Sequence, residues 1–159
     1  MDVANCTKQD FDQILTDFNE FWDHDRTLAL HHPTLINEFG NSAFVIRDGQ
    51  KVIAYIFGYL SQTLAVGYVH LLSVRQGYRK QGLARRLYDH FTVFSLAHGC
   101  TNLKAITSPA NTLSIAFHKS IGMMPIGEDY IDGIPVIRDY SGTGKDRVVF
   151  MKAINQDKS

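Results

Sequence analysis

Residues 74–87 combine the residue types and the spacing most suited to binding a phosphate group. The segment passes from a predicted strand, through a basic turn that contains glycine, into a predicted amphipathic helix. A helix N-terminus offers unpaired backbone N–H groups and the positive end of the helix dipole, and Gly82 would let a phosphate approach the backbone closely. Arg79, Lys80, Arg85 and Arg86 add positive charge around the turn. The segment predicts a site for a diphosphate or polyphosphate ligand; a solvated basic helix start is the alternative.

Two standard nucleotide-binding motifs are missing from the sequence. It contains no Gly-x-x-x-x-Gly-Lys-Ser/Thr run, which would predict a nucleotide P-loop. It also contains no Gly-x-Gly-x-x-Gly run followed by an acidic residue, which would predict a dinucleotide-binding domain. A nucleotide-binding α/β domain is therefore a competing interpretation that these motifs weigh against, and it predicts binding of ATP.

The elements around this segment predict an α/β fold with a mixed sheet. Apolar residues recur at helical spacing over 8–21, where Thr7 can cap the helix, and over 82–98. The remaining predicted elements are a short helix after Pro33, strands at 42–47 and 52–60 joined by a hairpin turn at Asp48-Gly49, and strands at 67–74 and 102–107. A helix follows at 111–121, with Leu113, Ile115, Ala116 and Phe117 available for burial, then one strand within 123–137 and a last strand at 147–152. This order indicates a single domain over residues 1–159, with helices packed on the sheet.

The composition of the 159-residue chain weighs against several classes of protein. Sixteen basic and sixteen acidic residues cancel, so no excess of positive charge indicates a nucleic-acid or membrane partner. The first ten residues are polar and lack the apolar core of a signal peptide, and so we expect a cytoplasmic protein. Cys6 and Cys100 have no metal-like spacing and are expected to be reduced thiols. His31-His32 has no third ligand spaced near it, so we expect no metal site.

Residues 79–84, Arg-Lys-Gln-Gly-Leu-Ala, resemble the Arg/Gln-x-x-Gly-x-Gly/Ala signature of the GNAT superfamily of N-acetyltransferases. A second match follows in the family's order. Asn111, then Ala-Phe-His at 116–118 and Ser-Ile-Gly-Met at 120–123, are similar to the family's later helix, Asn…Tyr-x-x-x-Gly-Phe. Two spaced motifs in the right order are more specific than either alone. The resemblance implies a mostly antiparallel sheet that splays between its fourth and fifth strands, with helices on both faces.

The resemblance also implies acetyl-CoA as the co-substrate and an amine as the acetyl acceptor. In the family, backbone groups at the end of the fourth strand bind the pantetheine arm, and backbone N–H groups of the turn bind the pyrophosphate. A main-chain N–H near Val74 would polarise the thioester carbonyl, as an oxyanion hole does. The cofactor-binding residues implied in this sequence are Leu72, Ser73, Val74, Arg79, Lys80, Gln81, Gly82, Leu83, Ala84, Arg85 and Asn111.

The implied acid departs from the family pattern. The family's usual acid is a tyrosine seven residues after the asparagine, and that position is His118 in this sequence. An imidazole can donate a proton near neutral pH, so His118 could protonate the leaving thiolate. Alternatively His118 only packs, and Tyr88, Tyr130 or Tyr140 substitutes or the thiolate leaves unaided.

His70 is the candidate base. An alkyl amine is mostly protonated at neutral pH and must lose a proton, directly or through water, before it can attack. His70 lies four residues before Val74 and, by strand alternation, should face the same side as Leu72 and Val74, a face that Tyr68 shares. The alternative is a hydrogen-bonded, inert strand histidine.

The acceptor is expected to be a small-molecule or peptide amine. Family members build the acceptor side from the first helices and the final strand pair, which in this sequence contain Trp22, His24, Asp25, His31 and His32, and Asp129, Asp132, Asp139 and Tyr140. The glycine-rich segment 137–147 is a candidate substrate lid or dimer contact, and an exposed terminal strand pair would favour a homodimer. The missing tyrosine favours a second function, a catalytically weak or inactive acyl-CoA-binding regulatory module.

Overall fold

A computed structural model describes residues 1–155 of the chain. These residues form two compact units. Residues 1–59 and 69–94 make up the first unit, and residues 60–68 together with those from 95 onward make up the second. None of the helices within residues 1–155 is both long and apolar enough to cross a membrane.

The first unit contains the N-terminal helices and the first strands of the chain. Its elements are β1 (Val3–Asn5), α1 (Lys8–Thr16), α2 (Phe18–Phe21), a 3-10 turn (Leu28–Leu30), α3 (Thr34–Asn37), a second 3-10 turn (Gly40–Ser42), β2 (Ala43–Asp48), a third 3-10 turn (Gln76–Tyr78) and the larger parts of β3 (Lys51–Leu60), β4 (Val66–Val74) and α4 (Leu83–Ala97). The elements of the second unit are β5 (Asn102–Thr107), α5 (Thr112–Ser120), β6 (Met124–Ile126), β7 (Asp129–Ile131), β8 (Ile134–Val136) and β9 (Val148–Ala153).

Seven strands form a mixed sheet in the order β1-β2-β3-β4-β5-β9-β6, and β7 and β8 form a separate two-stranded sheet. Strands β4 and β5 are parallel and the other neighbours are antiparallel. β4 begins in the second unit and continues into the first. The predicted α/β fold with a mixed, mostly antiparallel sheet is confirmed.

The start of α1 shows how local sequence fixes an element. Thr7 Oγ1 accepts a hydrogen bond from the Asp10 N–H at 3.1 Å, and Asp10 Oδ2 accepts one from the Thr7 N–H at 2.8 Å, which is a capping box. Arg47 of β2 donates from Nε to Asp10 Oδ1 at 2.8 Å. Burial alone would raise the pKa of the Asp10 carboxyl, but the hydrogen bonds from Arg47 and Thr7 outweigh burial and lower it. The predicted Thr7 cap is confirmed, and Asp10 also joins α1 to the sheet.

A cluster of buried apolar residues forms the core of the first unit. Its members come from α1, α2, α3 and strands β2 to β4: Phe11, Ile14, Phe21, Leu35, Ala43, Val45, Val52, Tyr55, Phe57 and Leu71. Three of them, Phe11, Ile14 and Phe21, belong to the helical pattern predicted over 8–21. That pattern is carried by two helices, α1 and α2, which meet at Asp17.

The C-terminal strands depart from the prediction. One strand was expected within 123–137, but three short strands, β6, β7 and β8, lie there, so that prediction is wrong. The signal was present: Asp132-Gly133 connects β7 and β8 with φ values of +49° and +78°, and it is the same type of hairpin signal as Asp48-Gly49. The N-terminal strand β1 was also missed, because three residues cannot display an alternating pattern and the strand exists through pairing with β2.

The buried face of α5 is also narrower than predicted. Leu113 and Ala116 were expected to be available for burial, yet Leu113 is 84% exposed and Ala116 is exposed. The buried positions of α5 are Ile115 and His118, three residues apart on one side of the helix.

Gly67 of β4 packs closely against Ser95 and Leu103 in the second unit. A Cβ added at Gly67 would overlap Ser95 Oγ and lie 3.2 Å from Leu103 Cδ2. Ser95 Oγ is buried and has no hydrogen-bond partner among the described residues. We expect Gly67→Ala to lower the free energy of unfolding by roughly 1–3 kcal/mol through overpacking. We expect Ser95→Ala to be neutral or stabilising, because it removes an unsatisfied buried hydroxyl.

Urea unfolding of both single variants and the double variant measures the coupling between the two sites. The Gly67→Ala change should cost less in the Ser95→Ala background, since the overlapping oxygen is gone. Strictly additive effects would contradict the predicted contact.

Candidate active site

The C-terminal half of β4 carries the first group of predicted site residues. Its side chains alternate in burial: Val69, Leu71 and Ser73 are buried, whereas His70, Leu72 and Val74 are partly exposed. The prediction that His70 shares a face with Leu72 and Val74 is confirmed by this alternation.

The turn that follows β4 is held at two points. The Arg75 side chain is 5% exposed, and its Nε donates to the Val52 carbonyl at 2.8 Å while its Nη2 donates to Asp17 Oδ2 at 2.9 Å. Tyr78 Oη donates to Asp48 Oδ2 at 2.7 Å, which ties the turn to the β2–β3 hairpin. The turn is therefore fixed from the sheet below it and from the neighbouring hairpin.

The backbone of the turn takes an uncommon path immediately before α4. Lys80 has a φ of +63° and Gly82 a φ of +79°, both in the left-handed region. A Cβ added at Gly82 would meet no protein atom within 4 Å, so the space beside this backbone is open. The Arg86 N–H donates to the Gly82 carbonyl at 3.1 Å. The amides of residues 83 and 84 precede that bond in the first turn of the helix, where an amide N–H has no acceptor within the helix, so they can bind an anion.

Arg79 and Arg86, both basic residues around the turn, contact backbone carbonyls. Arg79 Nε donates to the Val74 carbonyl at 3.1 Å and Arg79 Nη2 donates to the Phe21 carbonyl at 2.9 Å. Arg86 donates to the Met1 carbonyl. No acidic residue lies in the first turn of α4.

His70 contacts an aromatic ring and a backbone group. Its ring centroid lies 5.8 Å from that of Tyr59. Burial lowers the pKa of His70 below its ordinary value of 6.5, and a hydrogen bond to the Leu30 backbone opposes this shift only in part. The imidazole is therefore neutral at physiological pH, which is the state that a general base requires.

His31 has a structural role. It is 5% exposed, and its Nδ1 donates to the Thr27 carbonyl at 2.7 Å. Its Nε2 accepts from Tyr55 Oη at 2.8 Å, and the Trp22 Nε1 donates to the same Tyr55 oxygen at 2.7 Å. Burial lowers the pKa of His31, so both ring nitrogens serve this neutral network. Tyr55 was not singled out from the sequence, because it stands in a strand that shows only an apolar pattern.

Asn111 and His118 belong to the second unit. Asn111 caps α5, because its Oδ1 accepts from the Ser114 N–H at 3.1 Å. His118 is 7% exposed, its ring stacks on Phe150 with centroids 4.9 Å apart, and its Nδ1 donates to the Ser114 carbonyl at 2.7 Å. Burial lowers the pKa of His118 and the Ser114 carbonyl opposes this shift only in part. The ring is therefore neutral at physiological pH.

The segment 137–147 is closed by its own hydrogen bonds. Ile137 and Arg147 exchange backbone hydrogen bonds at 2.9 and 3.1 Å. Asp139 Oδ1 accepts from the Gly144 N–H at 2.7 Å, and Asp146 Oδ1 accepts from the Asp139 N–H at 2.8 Å. Asp139, a candidate residue of the acceptor side, thus stabilises the loop itself together with Asp146.

The cysteines and the candidate tyrosines differ in how far they are exposed. Burial raises the pKa of the Cys6 thiol to about 12 and also raises that of Cys100, so neither is an activated nucleophile. Of the candidate tyrosines, Tyr88 is buried at 3% exposure, whereas Tyr130 is 61% exposed. Within residues 1–155, no group of three or more His, Cys, Asp or Glu side chains converges in a way that could hold a metal ion.

Comparison with known proteins identifies the family to which this fold belongs. Residues 8–123 match the model of the acetyltransferase (GNAT) family. A search of curated proteins finds no match. Among solved structures, Naa20 of Chaetomium thermophilum in complex with a bisubstrate analogue is similar at a TM-score of 0.74 and 17% identity, covering 99% of this chain and 88% of that one.

Two further structures have the same fold. The ribosomal-protein-S18-alanine N-acetyltransferase of Escherichia coli is similar at a TM-score of 0.68 and 16% identity, covering 99% of this chain and 97% of that one. An aminoglycoside 6'-N-acetyltransferase complexed with coenzyme A is similar at a TM-score of 0.68 and 14% identity over the full length of both chains. Because the family model matches well over half of the sequence, the protein belongs to the GNAT acetyltransferase family, which uses acetyl-CoA as its co-substrate.

Proposed function

We propose that the protein is an acetyl-CoA-dependent N-acetyltransferase that moves an acetyl group to a primary amine by direct attack on the thioester. The observation that carries this proposal is the turn before α4. There a left-handed Lys80 and Gly82 leave open backbone beside the first amides of a 15-residue helix. Such backbone suits the pyrophosphate of CoA, and the partly exposed face of β4 that carries His70 leads directly to it.

The proposed contacts to the co-substrate are mainly backbone contacts. Amides within residues 79–85 hold the pyrophosphate, and the backbone of residues 72–74 holds the pantetheine arm as an added strand would. The Val74 N–H is the proposed donor to the thioester carbonyl. Asn111 already accepts a hydrogen bond through Oδ1 as the cap of α5, so its amide NH2 is the group that would contact the arm.

The chemistry needs one proton removed and one supplied. Acetyl-CoA supplies an activated acyl group. The amine nitrogen bonds to the carbonyl carbon and the C–S bond breaks. A base must remove the amine proton, and the CoA sulfur must leave as a thiolate or, once protonated, as a thiol. Neutral His70 accepts the amine proton, directly or through one water. Its lowered pKa supports this role, because the base is already unprotonated at neutral pH.

The contacts of His118 favour packing over acid catalysis. Since Nδ1 carries the hydrogen that is donated to Ser114, Nε2 of the neutral ring has no proton to give. Donation from Nε2 would require the imidazolium form, which burial disfavours. The thiolate then leaves unaided or takes its proton from another group, and the acid role that the resemblance implies for His118 stays a prediction.

The acceptor is proposed only as an amine of a small molecule or a peptide. Two of the three structural neighbours named above acetylate a protein alanine and an aminoglycoside, as their names state, and at 16% and 14% identity they share the fold alone. The alternative function, an acyl-CoA-binding module without turnover, is favoured by the neutral, stacked His118 at the position of the family's tyrosine.

Substitution of Gly82 tests the phosphate turn. Gly82→Val should weaken CoA binding at least tenfold, because a branched side chain fills the open space that the pyrophosphate needs. Gly133→Val is a matched control, since Gly133 has a φ of +78° and equally open surroundings in the β7–β8 hairpin. Calorimetric titration with CoA should show wild-type affinity for this control. A folded Gly82→Val variant that binds CoA as the wild type does would refute the role of the turn.

Turnover and its pH dependence test the reaction and the base together. Release of CoA thiol is followed with a polyamine, an aminoglycoside, an amino acid and a peptide with a free N-terminus. For the best acceptor, kcat/KM should fall on the acid side below pH 6.5 as His70 becomes protonated, because its folded-state pKa lies below that value. His70→Gln should lower kcat by roughly 10²-fold or more at neutral pH, recover partly at high pH and bind CoA normally.

An unchanged pH profile in His70→Gln would exclude His70 as the base. If CoA binds but no amine in the panel is acetylated, the binding-module alternative is correct and the proposed enzyme is not.

Replacement of His118 separates packing from acid catalysis. His118→Phe keeps an aromatic ring against Phe150 and removes both nitrogens. We expect kcat to stay within about threefold of wild type and the melting temperature to fall, because the bond to Ser114 is lost. A fall in kcat of about 10²-fold with unchanged CoA affinity, restored by His118→Tyr, would instead establish an acid at this position.

A further inference from the structure

The Arg79 guanidinium contacts two backbone carbonyls, although the residue as a whole is exposed. It donates to two carbonyls, Val74 at the end of β4 and Phe21 at the end of α2, at 3.1 and 2.9 Å. Arginine can make both bonds at once because its donors form a rigid fork. The side chain therefore connects the proposed co-substrate turn to a helix that lies 58 residues earlier in the sequence.

The end of α2 receives further bonds from the same region. Ser73 Oγ donates to the Phe21 carbonyl at 3.0 Å and is itself buried. The Arg75 guanidinium lies over the Phe21 ring, 4.8 Å from its centroid. Ser73 of β4, with Arg75 and Arg79 of the β4–α4 connection, thus contacts Phe21, whose side chain is only 1% exposed. Any shift of the turn must move Phe21 or break these contacts.

From Phe21 the contacts continue into segment 22–31, which belongs to the acceptor side that the family resemblance implies. Trp22 follows directly and donates to Tyr55 Oη, which donates to His31. The neighbouring Leu30 supplies the backbone group that hydrogen-bonds to His70. An unbroken series of contacts therefore runs from the proposed pyrophosphate turn, through Phe21, to the candidate base.

We propose that Arg79 is a positioning residue that couples CoA binding at the turn to the conformation of segment 22–31. Its backbone is part of the proposed co-substrate turn, while its side chain holds the Phe21 carbonyl. The inference rests on the proposed function. Because coupling between two sites is reciprocal, an acceptor bound beside segment 22–31 strengthens CoA binding by the same factor as CoA strengthens acceptor binding.

The only tryptophan of the sequence reports on this coupling. Trp22 lies next to Phe21, so its fluorescence is followed during titration with CoA, and calorimetry measures binding in parallel. In the wild-type protein the emission should change and saturate with the calorimetric Kd. Arg79→Met and the charge-conserving Arg79→Lys should still bind CoA within about tenfold of wild type, but the emission change at saturation should fall to less than half.

Lys80→Met is the matched control, because Lys80 is the next basic residue of the same turn and is exposed. It should weaken CoA binding and keep the full emission change at saturation. Ser73→Ala removes the second donor to the Phe21 carbonyl, keeps the backbone of β4 and should also reduce the emission change, which preserves the test if the Arg79 variants fail to fold.

Three results would overturn the inference: a wild-type emission that does not respond to bound CoA, Arg79 variants with the full emission change, or an equal loss in Lys80→Met. Absence of calorimetric CoA binding to the wild-type protein would refute the proposed function itself, and the inference would fall with it.

Discussion

The backbone of the turn before α4 is the constraint on which the account of this protein depends. Helix N-termini leave amide groups without an acceptor, and here the chain arrives at the helix through two left-handed residues, Lys80 and Gly82. A lysine in that region costs roughly 1 kcal/mol or more relative to ordinary backbone. The bonds of Tyr78 and Arg79 to the surrounding structure hold it there. Strain of this kind concentrates at functional sites.

Three histidines share a lowered pKa and differ in what surrounds them. For His31, His70 and His118 burial is the main cause of the shift. The nitrogens of His31 are both used in a core network, and the His118 ring is stacked against Phe150. His70 lies on the partly exposed face of β4. Exposure and position, more than pKa, therefore distinguish the candidate base from the other two.

The elements with strong local signals could be predicted from the sequence. The α4 helix, the Thr7 cap and the hairpin at Asp48-Gly49 are encoded by neighbouring residues, and each was found near its true limits. Strands β1 and β6 have three residues each and exist through pairing with β2 and β9, so no alternating pattern could reveal them. Strands β7 and β8 are equally short, and their only local signal is the turn Asp132-Gly133 between them. The type and place of the candidate site followed from two motifs.

The side-chain contacts of the site could not be predicted in the same way. The sequence indicated Arg79 as charge for a phosphate, but its guanidinium binds carbonyls at Val74 and Phe21. The partners in the Trp22–Tyr55–His31 network are separated by 24 and 33 residues. Nothing in local spacing specifies which distant groups meet, so these contacts emerge only from the folded chain.

Ligand-dependent thermal stability of the purified protein tests the central claim most directly. Acetyl-CoA, CoA, ATP and NAD are compared at equal concentration, since a ligand that binds only the folded state raises the melting temperature by mass action. The account predicts a rise with acetyl-CoA and CoA and none with ATP or NAD. A rise with ATP or NAD alone, or with none of the four, would contradict a co-substrate site at the turn before α4.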